Sequence, residues 1–149
     1  MRNMEQIVLD PRFQGIALTQ LALVAAIVGG AVSGVVVGWL CKRNAGLALC
    51  TLMIGIMGGL LVGTGMSRWL YIAQDGSEQV IQAGVRALGP AALAGLAGST
   101  PTALLISSLV IHITLRHVRN RPPRVKTGLR AAAIGMLAGT LTALALLLV

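Results

Sequence analysis

The chain has 149 residues, of which 56% are hydrophobic, 11% charged and 3% aromatic, and its net charge is +8. Soluble domains place charge on about 25% of their residues and disordered chains have low hydrophobicity, so this composition excludes both classes. With only 2 cysteines, the chain is no disulfide scaffold either. Together with a mean hydropathy of +0.84, these values predict a small integral membrane protein.

Four segments are apolar over the length of about 20 residues that a membrane crossing requires. A short tail, 1–15, precedes the first of them and is predicted to be extracytoplasmic. Residues 74–79 are polar and typical of a turn, and 80–88 is predicted either as a short surface helix or as the first turns of the third span. The predicted membrane domain, 16–149, has spans at 16–40, 45–70, 91–115 and 129–149, with a basic loop at 116–128.

Two prolines mark the third span. Proline suits the first turn of a helix and disfavours helix in the preceding residue, so Gly89-Pro90 predicts where the span starts. Pro101 predicts a kink inside it, where the hydroxyls of Thr100 and Thr102 are available to the freed backbone groups.

Charged residues segregate between the two ends of the predicted bundle. Most lysines and arginines lie in the loops after spans one and three, whereas all 4 acids lie in the tail or between spans two and three. Since cytoplasmic loops are enriched in basic residues, we expect both termini outside, in a bacterial-type inner membrane. The polar start lacks the pattern of a signal peptide, so the first span is expected to act as the insertion signal.

Small residues recur at every fourth position in each predicted span. Such residues share one helix face and allow another backbone to approach closely. Membrane helices are rich in glycine and alanine in general, which explains any one ladder equally well, but four ladders together favour close packing within the protomer or between copies. The positions predicted to pack helices are Gly30, Gly34, Gly38, Gly55, Gly59, Gly63, Gly135 and Gly139.

Spans two and four also share a pattern. Gly55 and Gly59 align with Gly135 and Gly139 after a short slip in register, and both spans follow a basic loop. This similarity predicts two hairpins of one pattern, related by a parallel repeat.

The run Gly34-Val-Val-Val-Gly-Trp-Leu40, followed by a basic turn and the glycine-rich segment 54–63, resembles the small bacterial transglycosylase-associated membrane proteins. Those proteins have a glycine-rich first helix ending in Gly-Trp-Leu, a second glycine-ladder helix and a third hydrophobic helix that ends in basic residues, as 104–116 does. The resemblance covers the first two to three spans and leaves the fourth outside. It implies a membrane packing module and transfers no catalytic residue.

The predicted spans contain no carboxylate. This argues against a proton- or sodium-coupled transporter and against a rotor ring, and it removes the paired carboxylates of a hydrolase. Cys41 and Cys50 have no histidine or aspartate close in sequence, so neither a zinc site nor a nucleophilic triad is predicted. We therefore expect no enzyme, no metal and no cofactor.

Three other residues are candidates for a functional role. His112 is interpreted either as a proton-responsive or haem- or chlorophyll-ligating imidazole or, more simply, as a histidine hydrogen-bonded to a neighbouring helix. Arg68 and Arg86 flank the external loop, where they snorkel to phosphates, pair with its acids or form the positive mouth of an anion path.

The basic loop has a physical use at an anionic leaflet, where each lysine or arginine contributes about 1 kcal/mol. The alternative is a purely topogenic signal. Nucleic-acid binding is not expected, since the loop is short and lacks aromatic residues for stacking. The residues predicted to contact lipid headgroups are Arg116, Arg119, Arg121, Arg124, Lys126 and Arg130.

The sequence thus predicts an all-α integral membrane protein, a bundle of four transmembrane helices packed through glycine ladders. Its predicted role is that of a non-enzymatic structural or accessory subunit of a homo-oligomer or larger membrane complex. The alternative is a small channel or carrier for an anion or a small neutral solute.

Overall fold

The structure is a computed structural model that describes residues 15–42, 45–76, 80–82, 88–117 and 125–148. This part of the chain forms four long helices and one pair of three-residue strands. In chain order these are β1 Gly15–Ala17, α1 Leu18–Lys42, α2 Ala45–Ala73, β2 Val80–Gln82, α3 Leu88–His117 and α4 Val125–Leu148.

All four helices are long and apolar enough to cross a membrane, which confirms the predicted number of long apolar helices in the described part of the chain. Their ends differ from the prediction by a few residues. The second helix continues to Ala73, and the third begins at Leu88, so that Pro90 lies in its first turn. Proline is favoured there because its missing N–H would lack a helical partner in any case.

The start of the segment 80–88 is a strand, so the prediction of a helix is wrong there. Val80–Gln82 is a strand that pairs antiparallel with β1, Ile16 lying opposite Ile81. Residue 16, predicted to start the first span, therefore lies in a strand. Branched side chains such as those of Val80 and Ile81 favour extended backbone, and the pairing satisfies main-chain groups of both segments. Residues 83–87, the rest of the predicted surface helix, lie outside the described residues.

The four helices divide into an inner and an outer pair. The first helix packs extensively against each of the other three, and α3 also packs against α4. Within the most apolar window of each helix, 56% of α1 and 50% of α3 are buried, compared with 22% of α2 and 28% of α4. Helices α1 and α3 therefore form the interior, and α2 and α4 are peripheral.

The bundle has two chemically different ends. We call the end with β1, β2 and the carboxyl termini of α2 and α4 the strand end. The end where α1 leads to α2 and α3 leads to α4 is called the basic end. A buried apolar cluster lies toward each end. The cluster near the strand end contains Leu18, Leu21, Ala25, Ala91, Ala94, Ala143 and Leu147, and the cluster near the basic end contains Val37, Ile106, Val110 and Ala131.

Helix α2 ends at the strand end in a tight left-handed cap. The N–H of Gly76 donates to the carbonyl of Tyr71, and the N–H of Asp75 donates to that of Ile72. This pair of bonds is the Schellman motif, which satisfies carbonyls that the helix leaves free. Asp75 occupies the left-handed position with φ of 55° and Gly76 follows at 75°. A residue with a Cβ thus stands where glycine is favoured.

Helix α3 continues through Pro101 from Leu88 to His117. Proline removes the hydrogen bond that Ala97 would otherwise accept within the helix. The hydroxyl of Thr102 donates to the carbonyl of Gly98 at 2.8 Å, so it reinforces the adjacent turn of the same helix. The kink itself stays a prediction.

Candidate functional site: helix interfaces and charged ends

The small residues of α1 face those of α2. A Cβ added to Gly30 would meet the carbonyl oxygen of Gly55, and a Cβ added to Gly55 would meet the carbonyl oxygen of Gly30. One turn away, a Cβ on Gly59 would lie 2.7 Å from the carbonyl oxygen of Ala26. Favourable contacts between carbon atoms lie at about 3.5–4.0 Å. At these positions the two backbones are therefore too close for any side chain.

This α1–α2 interface loosens toward the strand end. Toward the basic end, a Cβ on Gly34 would meet the carbonyl oxygen of Thr51 and one on Gly38 would meet its hydroxyl. Toward the strand end, a Cβ on Gly63 would lie 2.9 Å from the Cβ of Ala26 and 2.9 Å from the Cδ1 of Leu23. A leucine methyl group can rotate away, whereas a carbonyl cannot. Gly30, Gly34 and Gly55 are thus the most constrained of the six predicted positions on these helices.

A second interface joins α1 to α4. A Cβ on Gly135 would lie 2.7 Å from the carbonyl oxygen of Gly29 and 2.9 Å from the Cβ of Ser33. A Cβ on Gly139 would lie 2.5 Å from the carbonyl oxygen of Ala25 and 2.6 Å from the Cβ of Ser99. Both predicted glycines of α4 therefore lie against backbone of α1.

The predicted packing positions omit Gly29 and Gly98, which also lie close to the backbone of a neighbouring helix. A Cβ added to Gly29 would lie 3.2 Å from the carbonyl oxygen of Gly135 on α4. A Cβ added to Gly98 of α3 would meet the carbonyl oxygen of Ala22 on α1. A sequence signal exists for Gly29, because Ala25, Gly29 and Ser33 form their own four-residue ladder one position before the predicted one. Helix α1 thus has two adjacent stripes of small residues, one for each outer helix.

Helix α3 has two such stripes as well. Gly98 faces α1, whereas a Cβ on Gly95 would lie 3.1 Å from the Cβ of Ala143 and 3.2 Å from the Cα of Thr140, both on α4. Two stripes on each inner helix explain why α1 and α3 are about twice as buried as α2 and α4.

The buried hydroxyls bond mainly to carbonyls of their own helices. Ser33 donates to Gly30 at 3.0 Å, Ser107 donates to Ala103 at 2.6 Å, and Thr51 donates to Ala48 at 2.9 Å. Such bonds satisfy a polar group inside an apolar interior, which would otherwise cost free energy. These hydroxyls are therefore engaged within their helices and do not line a polar path.

One hydroxyl bridges two helices. The Oγ of Ser99 on α3 donates to the carbonyl of Met136 on α4 at 3.4 Å, and it lies 3.5 Å from the Oγ1 of Thr140. Thr140 itself donates to Met136 at 2.8 Å. The bridge is long, so van der Waals contact along the glycine stripes contributes more to this interface than hydrogen bonding does.

The predicted charged candidates lie at the periphery. Arg68 is exposed on the outer helix α2, next to the exposed Trp69, so it does not lie between helices. Arg86 lies outside the described residues. His112 is exposed on α3 at the basic end. In the described part of the chain, no group of three or more histidine, cysteine, aspartate or glutamate residues is placed to hold a metal ion.

Of the predicted headgroup contacts, Lys126 and Arg130 are exposed in the first turns of α4. Arg116 lies in the last turns of α3, but its side chain is outside the described part of the structure, as are the loop arginines at 119, 121 and 124. The predicted basic loop thus begins at a helix end and continues into the start of the next helix.

Exposed tryptophans lie at both ends of the α1–α2 pair. A Cβ on Gly38 would lie 3.2 Å from the Cα of Ala48, so the adjacent Trp39 stands at about the height of Ala48. Trp69 lies about 21 residues further along α2, which corresponds to about 31 Å of helix. Trp39 is 54% exposed and Trp69 is 60% exposed. Aromatic side chains favour the two headgroup layers, and the hydrocarbon core between them is about 30 Å thick.

Comparison of the chain with family models, with curated proteins and with solved structures finds no match in any of the three. The geometry of the bundle and the chemistry of its residues are therefore the grounds for a functional proposal.

Proposed function

We propose that the protein is a non-enzymatic, multi-pass protein of a bacterial-type inner membrane that acts as a helix-packing structural or accessory subunit. The observation that carries the proposal is the contact between backbones at the α1–α2 interface, where Gly30 and Gly55 each face the other's carbonyl. Lipid gives helices little hydrophobic reason to associate, so close van der Waals packing must supply the attraction. Glycine and alanine also lose almost no side-chain entropy when buried, which favours a rigid unit.

The outer surface of the bundle supports a role in assembly. Large apolar side chains cover the outward faces of α2 and α4, including Met53, Met57 and Leu61 on the one and Leu137 and Leu141 on the other. Such faces are suited to lipid or to other apolar helices. We propose that copies of this chain, or other subunits of a membrane complex, cover part of that surface.

Charge supports the proposed orientation. The basic end is placed in the cytoplasm because lysine and arginine are enriched in cytoplasmic loops, and both termini are then extracytoplasmic. Anionic lipids of the inner leaflet are the proposed partners of the basic residues there. A phosphatase reporter, active only outside the cytoplasm, should work when fused after residue 149. Activity of a cytoplasm-specific reporter at the same site would contradict the orientation.

We do not advance the channel or carrier. The hydroxyls of Ser33, Thr51 and Ser107 bond to their own helices, and Arg68 lies on the outer surface of α2. A packing module also agrees with what the resemblance to the transglycosylase-associated membrane proteins implies, and we propose that relationship on the sequence motif alone.

The experiment that tests the proposed function is the mass of the native particle, released from membranes in a mild detergent and measured by native mass spectrometry. If the protein is a structural subunit, the particle should be either a homo-oligomer, with a mass that is a multiple of the 15.3 kDa chain, or a complex that contains other subunits. The outward-facing variant Leu137→Ser should reduce that mass, whereas Cys50→Ser serves as a conservative control on α2. A particle of one chain under all conditions that retain lipid would contradict the proposal.

A further inference from the structure

One stripe of α3 lies on the outside of the bundle and is partly polar. Leu96, Thr100, Leu104 and Ser108 follow one another at every fourth position, so they share one face of the helix. Leu96, Leu104 and Ser108 are exposed, and Thr100 is half-buried. We call these four residues the α3 outer stripe. Its spacing is the one at which α1 and α2 pack against each other.

The two polar residues of the stripe differ from the other hydroxyl residues of α3. The hydroxyls of Ser99, Thr102 and Ser107 all donate to carbonyls. Those of Thr100 and Ser108 make no hydrogen bond to the residues that the structure describes. Among the described side chains of α3, the unbonded hydroxyls are thus the ones on the outer stripe.

Pro101 adds a hydrogen-bond acceptor close to Thr100. Proline has no N–H, so the carbonyl of Ala97 lacks the donor that an ordinary helix would supply. Ala97 is half-buried and lies three residues before Thr100, less than one turn of helix away. The outer face of α3 therefore offers a donor, the hydroxyl of Thr100, and an acceptor, the carbonyl of Ala97.

These groups lie deep in the proposed membrane. The apolar stretch of α3 extends from Leu88 to Ile113, so Thr100 is close to its middle and Ser108 is still inside it. Hydrocarbon offers no hydrogen bond, and an unsatisfied hydroxyl or carbonyl there costs free energy. A helix with polar groups at the same depth satisfies them, whereas a lipid tail does not.

We propose that the α3 outer stripe is the surface on which a second copy of this chain docks, so that two α3 helices pack in parallel. Copies with the same charge pattern insert in the same orientation, which places identical residues at the same depth. A hydroxyl both donates and accepts, so the stripe is complementary to itself. The proposal rests on the proposed role in assembly and deepens it, because it names the partner and the surface.

A two-fold axis along the membrane normal gives every contact of this pair twice. The hydroxyl of Thr100 donates to the Ala97 carbonyl of the second copy, and the second copy returns the same bond. One turn further along, the two Ser108 hydroxyls bond to each other. Between these bonds, Leu104 packs against its counterpart.

The test is resonance energy transfer between full-length chains in phosphatidylcholine vesicles. The label is placed on the exposed Cys50 of a Cys41→Ser chain, and dilution with lipid gives the dissociation constant of the pair. Thr100→Val removes two bonds and should raise the constant about eightfold, and Ser108→Ala removes one and should raise it about threefold, at the strength usual between membrane helices. Thr100→Ser, which keeps the hydroxyl, should restore most of the affinity.

Thr64→Val is the matched control. Thr64 is exposed on α2, but its hydroxyl donates to the carbonyl of Leu61 at 2.8 Å, so the constant should stay unchanged. Equal increases in Thr64→Val and Thr100→Val, or no increase in Thr100→Val, would overturn the docking surface. Native particles that contain several chains, although Thr100→Val leaves the constant unchanged, would contradict only this surface and not the proposed function.

Two cysteine variants test the face of α3 directly. In a chain whose native cysteines are replaced by serine, Leu104→Cys should form a disulfide between copies when intact membranes are oxidised. Leu105→Cys should not, although Leu105 is the more exposed, because consecutive residues lie about 100° apart around a helix. Equal cross-linking of the two variants would contradict the stripe.

Discussion

Replacing Gly55 with alanine should destabilise the bundle, although the same change at Gly65 of α2 should not. The added Cβ would meet the carbonyl oxygen of Gly30 and lie 2.8 Å from its carbonyl carbon and 3.0 Å from the Cα of Ala31. Normal contact requires about 3.5–4.0 Å, so α1 and α2 must separate by roughly 1 Å. A gap of that size forfeits about a quarter to a half of the attraction between facing atoms along the interface.

The expected cost is about 1–3 kcal/mol in the free energy of unfolding, the range typical of overpacked interiors. Gly65→Ala is the matched control, because nothing lies within 4 Å of a Cβ added there. Alanine favours helix over glycine by up to about 1 kcal/mol, so the control should be neutral or stabilising. Unfolding by sodium dodecyl sulfate in mixed micelles, followed by circular dichroism, measures both values. Equal effects of the two substitutions would refute the proposed contact between backbones.

Substitutions at three other contacts should change the stability of the bundle by different amounts. Gly139→Ala should also cost about 1–3 kcal/mol in the same titration, since its Cβ would lie 2.5 Å from the carbonyl oxygen of Ala25, and an unchanged midpoint would contradict the α1–α4 interface. Ser99→Ala should lower the free energy of unfolding by only about 0.6 kcal/mol, which is typical of a hydrogen bond between membrane helices. A loss of several kcal/mol would contradict the conclusion that van der Waals contact contributes more to this interface than hydrogen bonding does. Asp75→Gly should raise the melting temperature for two reasons. The left-handed conformation of residue 75, with φ of 55°, costs about 1 kcal/mol for a residue with a Cβ and nothing comparable for glycine, and the substitution also removes a negative charge from a helix carboxyl terminus. A lower melting temperature would contradict the cap.

Hydropathy was sufficient to predict the four helices, because a run of about 20 apolar residues has few other stable solutions. It could not distinguish inner from outer helices, since all four are apolar throughout. The number of small-residue stripes does distinguish them. Ala25, Gly29 and Ser33 form a second stripe on α1, and two stripes on one helix indicate two close neighbours.

The strand pair could not be predicted in the same way. The three-residue strands β1 and β2 are stabilised by pairing with each other, and the whole of α1 and α2 separates them in the sequence, so no local pattern identifies them.

The central claim is that stripes of small residues hold the helices together within a membrane, and cross-linking in intact membranes tests it most directly. A Cβ on Gly95 would lie 3.1 Å from the Cβ of Ala143, within a few tenths of an ångström of the separation of about 3.5–4.5 Å that a disulfide takes. In a chain whose two native cysteines are replaced by serine, Gly95→Cys with Ala143→Cys should oxidise rapidly to an internal disulfide. Leu96→Cys with Ala143→Cys should not, because Leu96 is exposed. Equal cross-linking of both pairs, or none in either, would contradict the packing of α3 against α4.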